Sequence, residues 1–173
     1  ARAILVSDPI SSFRFVGAVL ASRVICLLRT VPLWGRGTQP TVFIDISGEL
    51  KAIPVVAETI SRVHRGFKAE VDELWPMICE DINRKANVGK TLWFCGHSLG
   101  AAMATIMASR CMHDVELSDP VELYTFGSPR VGWRGYCNSL GVVHHRWKNN
   151  NDIVTTVPLA IMGYVHHGTQ HYL

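Results

Sequence analysis

The sequence lacks a C-x-x-C pair, and its five cysteines, Cys26, Cys79, Cys95, Cys111 and Cys137, make an odd count. A zinc ribbon and a complete disulfide framework are thereby excluded. Nor is there a basic run interleaved with aromatics: the net charge of +3 is spread along the chain, which removes nucleic acid from the expected partners. Long apolar runs are missing too. The most apolar window, residues 15–28, is interrupted by Arg23 and is too short to span a bilayer, which takes about 20 residues. The opening residues, ARAILVSDP, have no signal-peptide pattern; a mature secreted chain would lack one as well, so the compartment stays open. Repeats and low-complexity segments are also absent.

What is present is a core. Apolar residues make up 48% of the 173 and charged residues 18%, the balance of a globular protein with a single domain over residues 1–173. Cys26, Cys79, Cys95 and Cys111 sit among apolar neighbours and are expected to be small buried hydrophobes. Residues 24–34 read as extended. Phe67, Val71, Leu74, Ile78 and Ile82 recur at three- and four-residue steps, the stripe of an amphipathic helix, with Pro76 as a possible kink. TLWFC (91–95) reads as a buried strand, 99–112 as an Ala- and Met-rich helix, and VELYTFG (121–127) and VVHHRWK (142–148) as two further strands. Strands alternating with helices predict an α/β protein with a parallel sheet.

Between the strand at 91–95 and the helix at 99–112 stands GHSLG, a G-x-S-x-G pattern centred on Ser98. In a strand–turn–helix context this pattern predicts a nucleophile elbow. The serine occupies a strained turn, small Gly96 and Gly100 avoid a clash, and the helix N-terminus favours developing negative charge. The competing reading is a serine that merely caps the helix.

The surrounding motifs carry a resemblance. VHRGF (63–67), GHSLGAA (96–102), YTFGSPRVG (124–132) and NNDIVTTVPL (150–159) follow one another in the order of the class 3 lipases, the fungal-lipase-like α/β-hydrolases. RGT (36–38) resembles that family's oxyanion loop, and GYVHHGTQHY (163–172) the segment after its acid. The resemblance implies Ser98 as nucleophile, Asp152 as triad acid, and the backbone N–H groups of Leu99 and Thr38 as the oxyanion hole. It implies no metal and no organic cofactor. His64 and Arg130 fall on family hallmarks that take no chemical step and read as scaffold.

An acyl-transfer triad also needs a histidine. In α/β-hydrolases the order is serine, acid, histidine, which removes His64, His97, His113, His144 and His145. His97 is further disfavoured because neighbours on a tight elbow point apart. His166, His167 and His171 follow Asp152, but His166 matches a family histidine that is not the base, and the family's own base segment, resembling D-H-x-x-Y, does not occur in residues 1–173. The base is unassigned: the hydrolase core is expected to lack its C-terminal part, the alternatives being that one of His166, His167 and His171 substitutes or that the chain is a degenerate homologue.

The expected function is hydrolysis of acylglycerol esters at a lipid–water interface through a serine acyl-enzyme. Phospholipid or aryl esters are the alternative substrates, and a non-catalytic lipase-like binding domain is the alternative class. TVFIDI (41–46) is expected to form an apolar flap over the site or, equally, an ordinary strand.

Overall fold

The computed structural model describes residues 53–59, 61–87 and 90–173, together with the backbone of two strands, Phe13–Phe15 (β1) and Ser22–Arg29 (β2). Thr38 and the 41–46 segment lie outside the described residues, as does the part of the extended 24–34 stretch beyond Arg29.

Six strands form the main sheet, in the order β1, β2, β5 (Thr91–His97), β6 (Pro120–Phe126), β8 (Val143–Lys148) and β10 (Thr169–Tyr172). β1 pairs antiparallel with β2, and every other neighbouring pair is parallel. A second, antiparallel sheet joins four short strands, β3 (Pro54–Val56), β4 (Arg62–His64), β7 (Gly132–Trp133) and β9 (Tyr164–Val165).

The alternation expected of a sheet with one well-covered face is plain in β5. Leu92, Phe94 and Gly96 are buried, whereas Thr91, Trp93 and Cys95 are half-buried. The covering element is α2 (Leu99–His113), which packs on β2, β5 and β6 on one side and on α1 (Arg65–Ile82) on the other. Sandwiched in this way, α2 is buried from Leu99 to Cys111. Its Ala101, Ala102, Ala104 and Ala108 let it lie close to both neighbours. A helix this apolar belongs in the middle of a protein, and its one buried cation, Arg110, is ion-paired with Glu58 and Asp72.

α1 behaves as an amphipathic surface helix. Phe67, Val71, Ile78 and Ile82 are buried on its inner face, and it continues through Pro76. It begins at His64, whose side chain caps it by accepting from the Phe67 amide at 3.4 Å and whose ring stacks on Phe67 at 4.1 Å. A third helix, α3 (Arg134–Ser139), follows β7 directly.

The cysteine expectation needs correction. Cys111 is buried, but Cys79 and Cys95 are only half-buried. Cys95 falls on the face of β5 that α2 does not cover. Cys137, flanked by polar residues in sequence, is buried, its thiol donating to the Val165 carbonyl at 3.5 Å.

Candidate active site

In a parallel sheet the carboxyl ends of neighbouring strands share one edge, and the loops leaving them converge there. β5, β6 and β8 end side by side at that edge: His97 pairs with Phe126, and Phe126 with Trp147. The candidate residues leave from these three ends.

Ser98 turns the chain from β5 into α2 at φ 54° and ψ −125°, and it is the one non-glycine with positive φ among the described residues. For an L-residue this conformation is costly and persists only where the surroundings enforce it. Gly96 and Gly100 enforce it: a Cβ on Gly96 would meet the Gly100 carbonyl oxygen at 2.3 Å. The Ser98 amide donates to the Phe126 carbonyl at 3.0 Å and pins the turn to the end of β6. Its side chain makes no capping hydrogen bond, so the helix-cap reading fails. Leu99, 4% exposed, supplies the first amide of α2, which has no acceptor within the helix.

The residue after Phe126 is Gly127, with φ 57° and its amide donating to the Trp147 carbonyl at 2.9 Å. Beyond it stands Asp152. A Cβ on Gly127 would lie 2.7 Å from Asp152 Oδ2 and 3.8 Å from His97 Nε2. Asp152 Oδ1 accepts from the Val154 amide at 2.9 Å, and its carbonyl accepts from Thr155 Oγ1 at 2.9 Å. Among the described residues Oδ2 accepts no hydrogen bond. Ser98 and Asp152 thus flank the Phe126–Gly127 peptide, one bonded to it and the other packed against it.

The loop carrying Asp152 is held from two sides. The Arg130 guanidinium donates to the carbonyls of Thr156 and Pro158, the latter at 2.9 Å, and the Arg130 amide donates to Val157 at 2.8 Å. His166 Nε2 donates to the Thr155 carbonyl at 2.8 Å, and burial pushes the His166 pKa down to about 4. Arg130 matches its scaffold reading. Neither the brace supplied by His166 nor the close approach of Gly127 was expected. Glycine directly after a strand, in FGSP, was the available signal for the latter.

None of the histidines among the described residues bonds to Ser98 or Asp152. The candidates after Asp152 are engaged elsewhere. His167 bonds to the Leu140 carbonyl and faces His144, Nδ1 to Nδ1, at 3.1 Å; His144 Nε2 meets Thr125 Oγ1 at 2.7 Å. The donors fit one neutral arrangement: Thr125 donates to His144, His144 to His167, and His167 to Leu140. His171 Nε2 pairs with His145 Nδ1 at 3.1 Å and its ring stacks on Trp147 at 4.6 Å. Among the described residues no group of three His, Cys, Asp or Glu could hold a metal ion, and no helix is long and apolar enough to cross a membrane.

A family model described as Lipase (class 3) matches residues 34–162. The chain belongs to the class 3 lipase family. It is 35% identical over 101 residues to Toxin TseL of Vibrio cholerae, covering 58% of this chain and 15% of that protein. Over 120 residues it is 32% identical to secreted mono- and diacylglycerol lipase 1 of Fusarium solani, covering 64% of this chain and 34% of that protein. The chain therefore spans about a third or less of these relatives. The solved lipase from Rhizopus microsporus var. chinensis superposes with a TM-score of 0.76 at 20% identity, covering 99% of this chain and 61% of that one. The class 3 lipase fold is the α/β-hydrolase core described above, with its helices around a mostly parallel sheet.

Proposed function

We propose that this class 3 lipase-family chain cleaves carboxylic-ester bonds of acylglycerol lipids through a serine acyl-enzyme. The observation that carries the reading is Ser98: strained, half-buried at the sheet edge, released from capping, and one peptide away from Asp152. Backbone strain of this kind costs on the order of 1–3 kcal/mol, and a serine serving only as a cap has no use for it.

In the proposed reaction Ser98 Oγ attacks the ester carbonyl while its proton passes to a general base. The tetrahedral oxyanion accepts hydrogen bonds from the Leu99 amide and, by family resemblance, from the Thr38 amide. Preorganised donors of this kind contribute about 3–4 kcal/mol each to the barrier. Collapse expels the alcohol, which takes up the base's proton, and water then releases the acid by the same path in reverse. Asp152 Oδ2, free to accept, is the atom that would orient the base. No histidine of residues 1–173 is assigned that role.

The acylglycerol substrate rests on the likeness to the Fusarium solani mono- and diacylglycerol lipase. Release of fatty acid from monoolein, dioleoylglycerol and dioleoylphosphatidylcholine, each compared with Ser98→Ala, tests it. Faster Ser98-dependent release from the two acylglycerols supports the reading. A preference for the phospholipid would move the substrate class. Release from all three no faster than with Ser98→Ala would favour a lipase-like binding domain.

A further inference from the structure

Ile153, Leu159, Ile161 and Met162 are exposed, all in the loop that follows Asp152. Ile161 stands 92% exposed in the middle of a 3-10 turn, Ala160–Met162. Single exposed apolar side chains are ordinary, but several in one segment mark a surface that meets something apolar. The turn is already formed. The Met162 and Gly163 amides donate back to the Leu159 and Ala160 carbonyls at 3.0 and 2.9 Å, and Gly163 closes the turn at φ 88°. Two of its backbone donors are thus satisfied, which lowers the cost of leaving water.

The charges beside this turn are cationic. Trp133 links them to it: Arg62 lies over the Trp133 ring at 5.4 Å, and a Cβ on Gly163 would meet the same ring at 3.2 Å. Arg134 follows Trp133 directly. Both arginines are exposed, and neither pairs with a carboxylate among the described residues. Arg130 spends its guanidinium on the carbonyls of the loop. From Leu123 to Leu173 the only acidic side chain is Asp152, against Arg130, Arg134, Arg146 and Lys148. An apolar turn with a cationic margin suits a membrane surface that carries anionic headgroups. A lipid layer is also the medium of the proposed substrate.

We propose that this turn and its arginine margin form a docking surface for membranes containing anionic lipid. Leu159, Ile161 and Met162 enter the layer, and Arg62 and Arg134 meet the headgroup phosphates. Docking needs no reacting serine; only its use, bringing Ser98 to an ester in the layer, rests on the ester-cleaving reading.

The test uses the Ser98→Ala protein, so that binding is read without hydrolysis. It is co-sedimented with vesicles of phosphatidylcholine alone or of phosphatidylcholine mixed with phosphatidylglycerol. Binding should be stronger to the mixed vesicles and should weaken as salt is added. Adding Ile161→Ser, at an exposed position that the fold does not need, should weaken it about tenfold through the loss of one apolar side chain from the layer. Adding Arg62→Gln and Arg134→Gln together should cost about twenty-fivefold on the mixed vesicles, at about fivefold for each cation, and little on the neutral ones. Val115, fully exposed beyond the far end of α2, is the control, and Val115→Ser should bind as its parent does. Equal binding to the two kinds of vesicle, undiminished binding by the Ile161→Ser protein, or an equal loss in the Val115→Ser protein would each overturn the proposal. The predicted binding pattern in a chain whose Ser98 form releases no fatty acid would uphold the docking surface and sink the ester-cleaving reading alone.

Discussion

Gly96 and Gly100 face each other across the turn at Ser98 so closely that a Cβ on the first would meet the carbonyl oxygen of the second at 2.3 Å. Backbone cannot give way as a side chain can, so Gly96→Ala must reshape the turn. We expect it to lower stability by about 1–3 kcal/mol and to abolish reaction of Ser98 with a fluorophosphonate probe. Urea unfolding and probe labelling measure the two effects, and a Gly96→Ala variant with unchanged midpoint and labelling would contradict the account of the elbow.

Gly127 separates the end of β6 from the acid. An alanine there must hold φ 57° and place its Cβ 2.7 Å from Asp152 Oδ2. The conformation alone costs about 1–2 kcal/mol. Displacing the carboxylate should cost about a hundredfold in kcat, with KM little changed. Kinetics on a soluble short-chain ester check this; wild-type kcat in Gly127→Ala would show that Asp152 Oδ2 has no part in the reaction.

Much of this site was legible in the sequence because its logic is local. A short apolar strand, a small–x–Ser–x–small turn and an Ala- and Met-rich helix are neighbours in the chain, and β5, the turn at Ser98 and α2 followed from them. β6, β8 and α1 were legible from alternation and the three–four stripe. The second sheet was not: β7 and β9 have two residues each, too few to show a period. β10 reads TQHY, with both Thr169 and Gln170 exposed; a polar strand at the sheet edge gives no hydrophobic signal. The contacts that hold Asp152 come from Arg130 and His166, 22 and 14 residues away (152 − 130 and 166 − 152), and only the folded chain brings them to its loop.

Arg130 grips two carbonyls of that loop. Arg130→Met should leave the sheet intact and loosen residues 153–158. Hydrogen bonds to a charged group contribute about 1.5–3 kcal/mol each, so amide exchange in this segment should accelerate at least tenfold while α2 keeps its protection. Unchanged exchange at Val154 and Val157 would show that the loop is held by other contacts.

Burial pushes the pKa of His64 down to about 4, and that of His166 to about 4 as well. Both return to about 6.5 in the unfolded chain. Above pH 6.5 neither state binds these protons and stability is flat with respect to them. Between pH 6.5 and 4 the unfolded chain takes up protons that the folded one refuses, so stability falls as pH falls, by at most about 1.4 kcal/mol per pH unit for each histidine. Below pH 4 the folded protein binds them too and the slope from these groups vanishes. His64→Asn keeps an N-cap acceptor for α1 and removes one titrating group. Its unfolding free energy should therefore vary less steeply between pH 6.5 and 4. An unaltered slope would remove His64 from the acid sensitivity.

The three histidines after Asp152 are bonded to Thr155, to His144 and Leu140, and to His145. His167→Ala and His171→Ala should keep whatever ester hydrolysis the protein has, within about twofold, because neither ring serves Ser98. His166→Ala should lower it through the loop of Asp152, in parallel with faster amide exchange at Thr155 and Val157. A loss of three or more orders of magnitude in any one variant, with exchange unchanged, would identify that residue as the base and contradict its assignment here.

The central claim is that Ser98 is the nucleophile, and intact-protein mass spectrometry after fluorophosphonate treatment tests it most directly. The account predicts a single adduct, located to the peptide containing Gly96 to Gly100, and none on Ser98→Ala. An equal adduct on the Ser98→Ala variant, or one located to another residue, would contradict it.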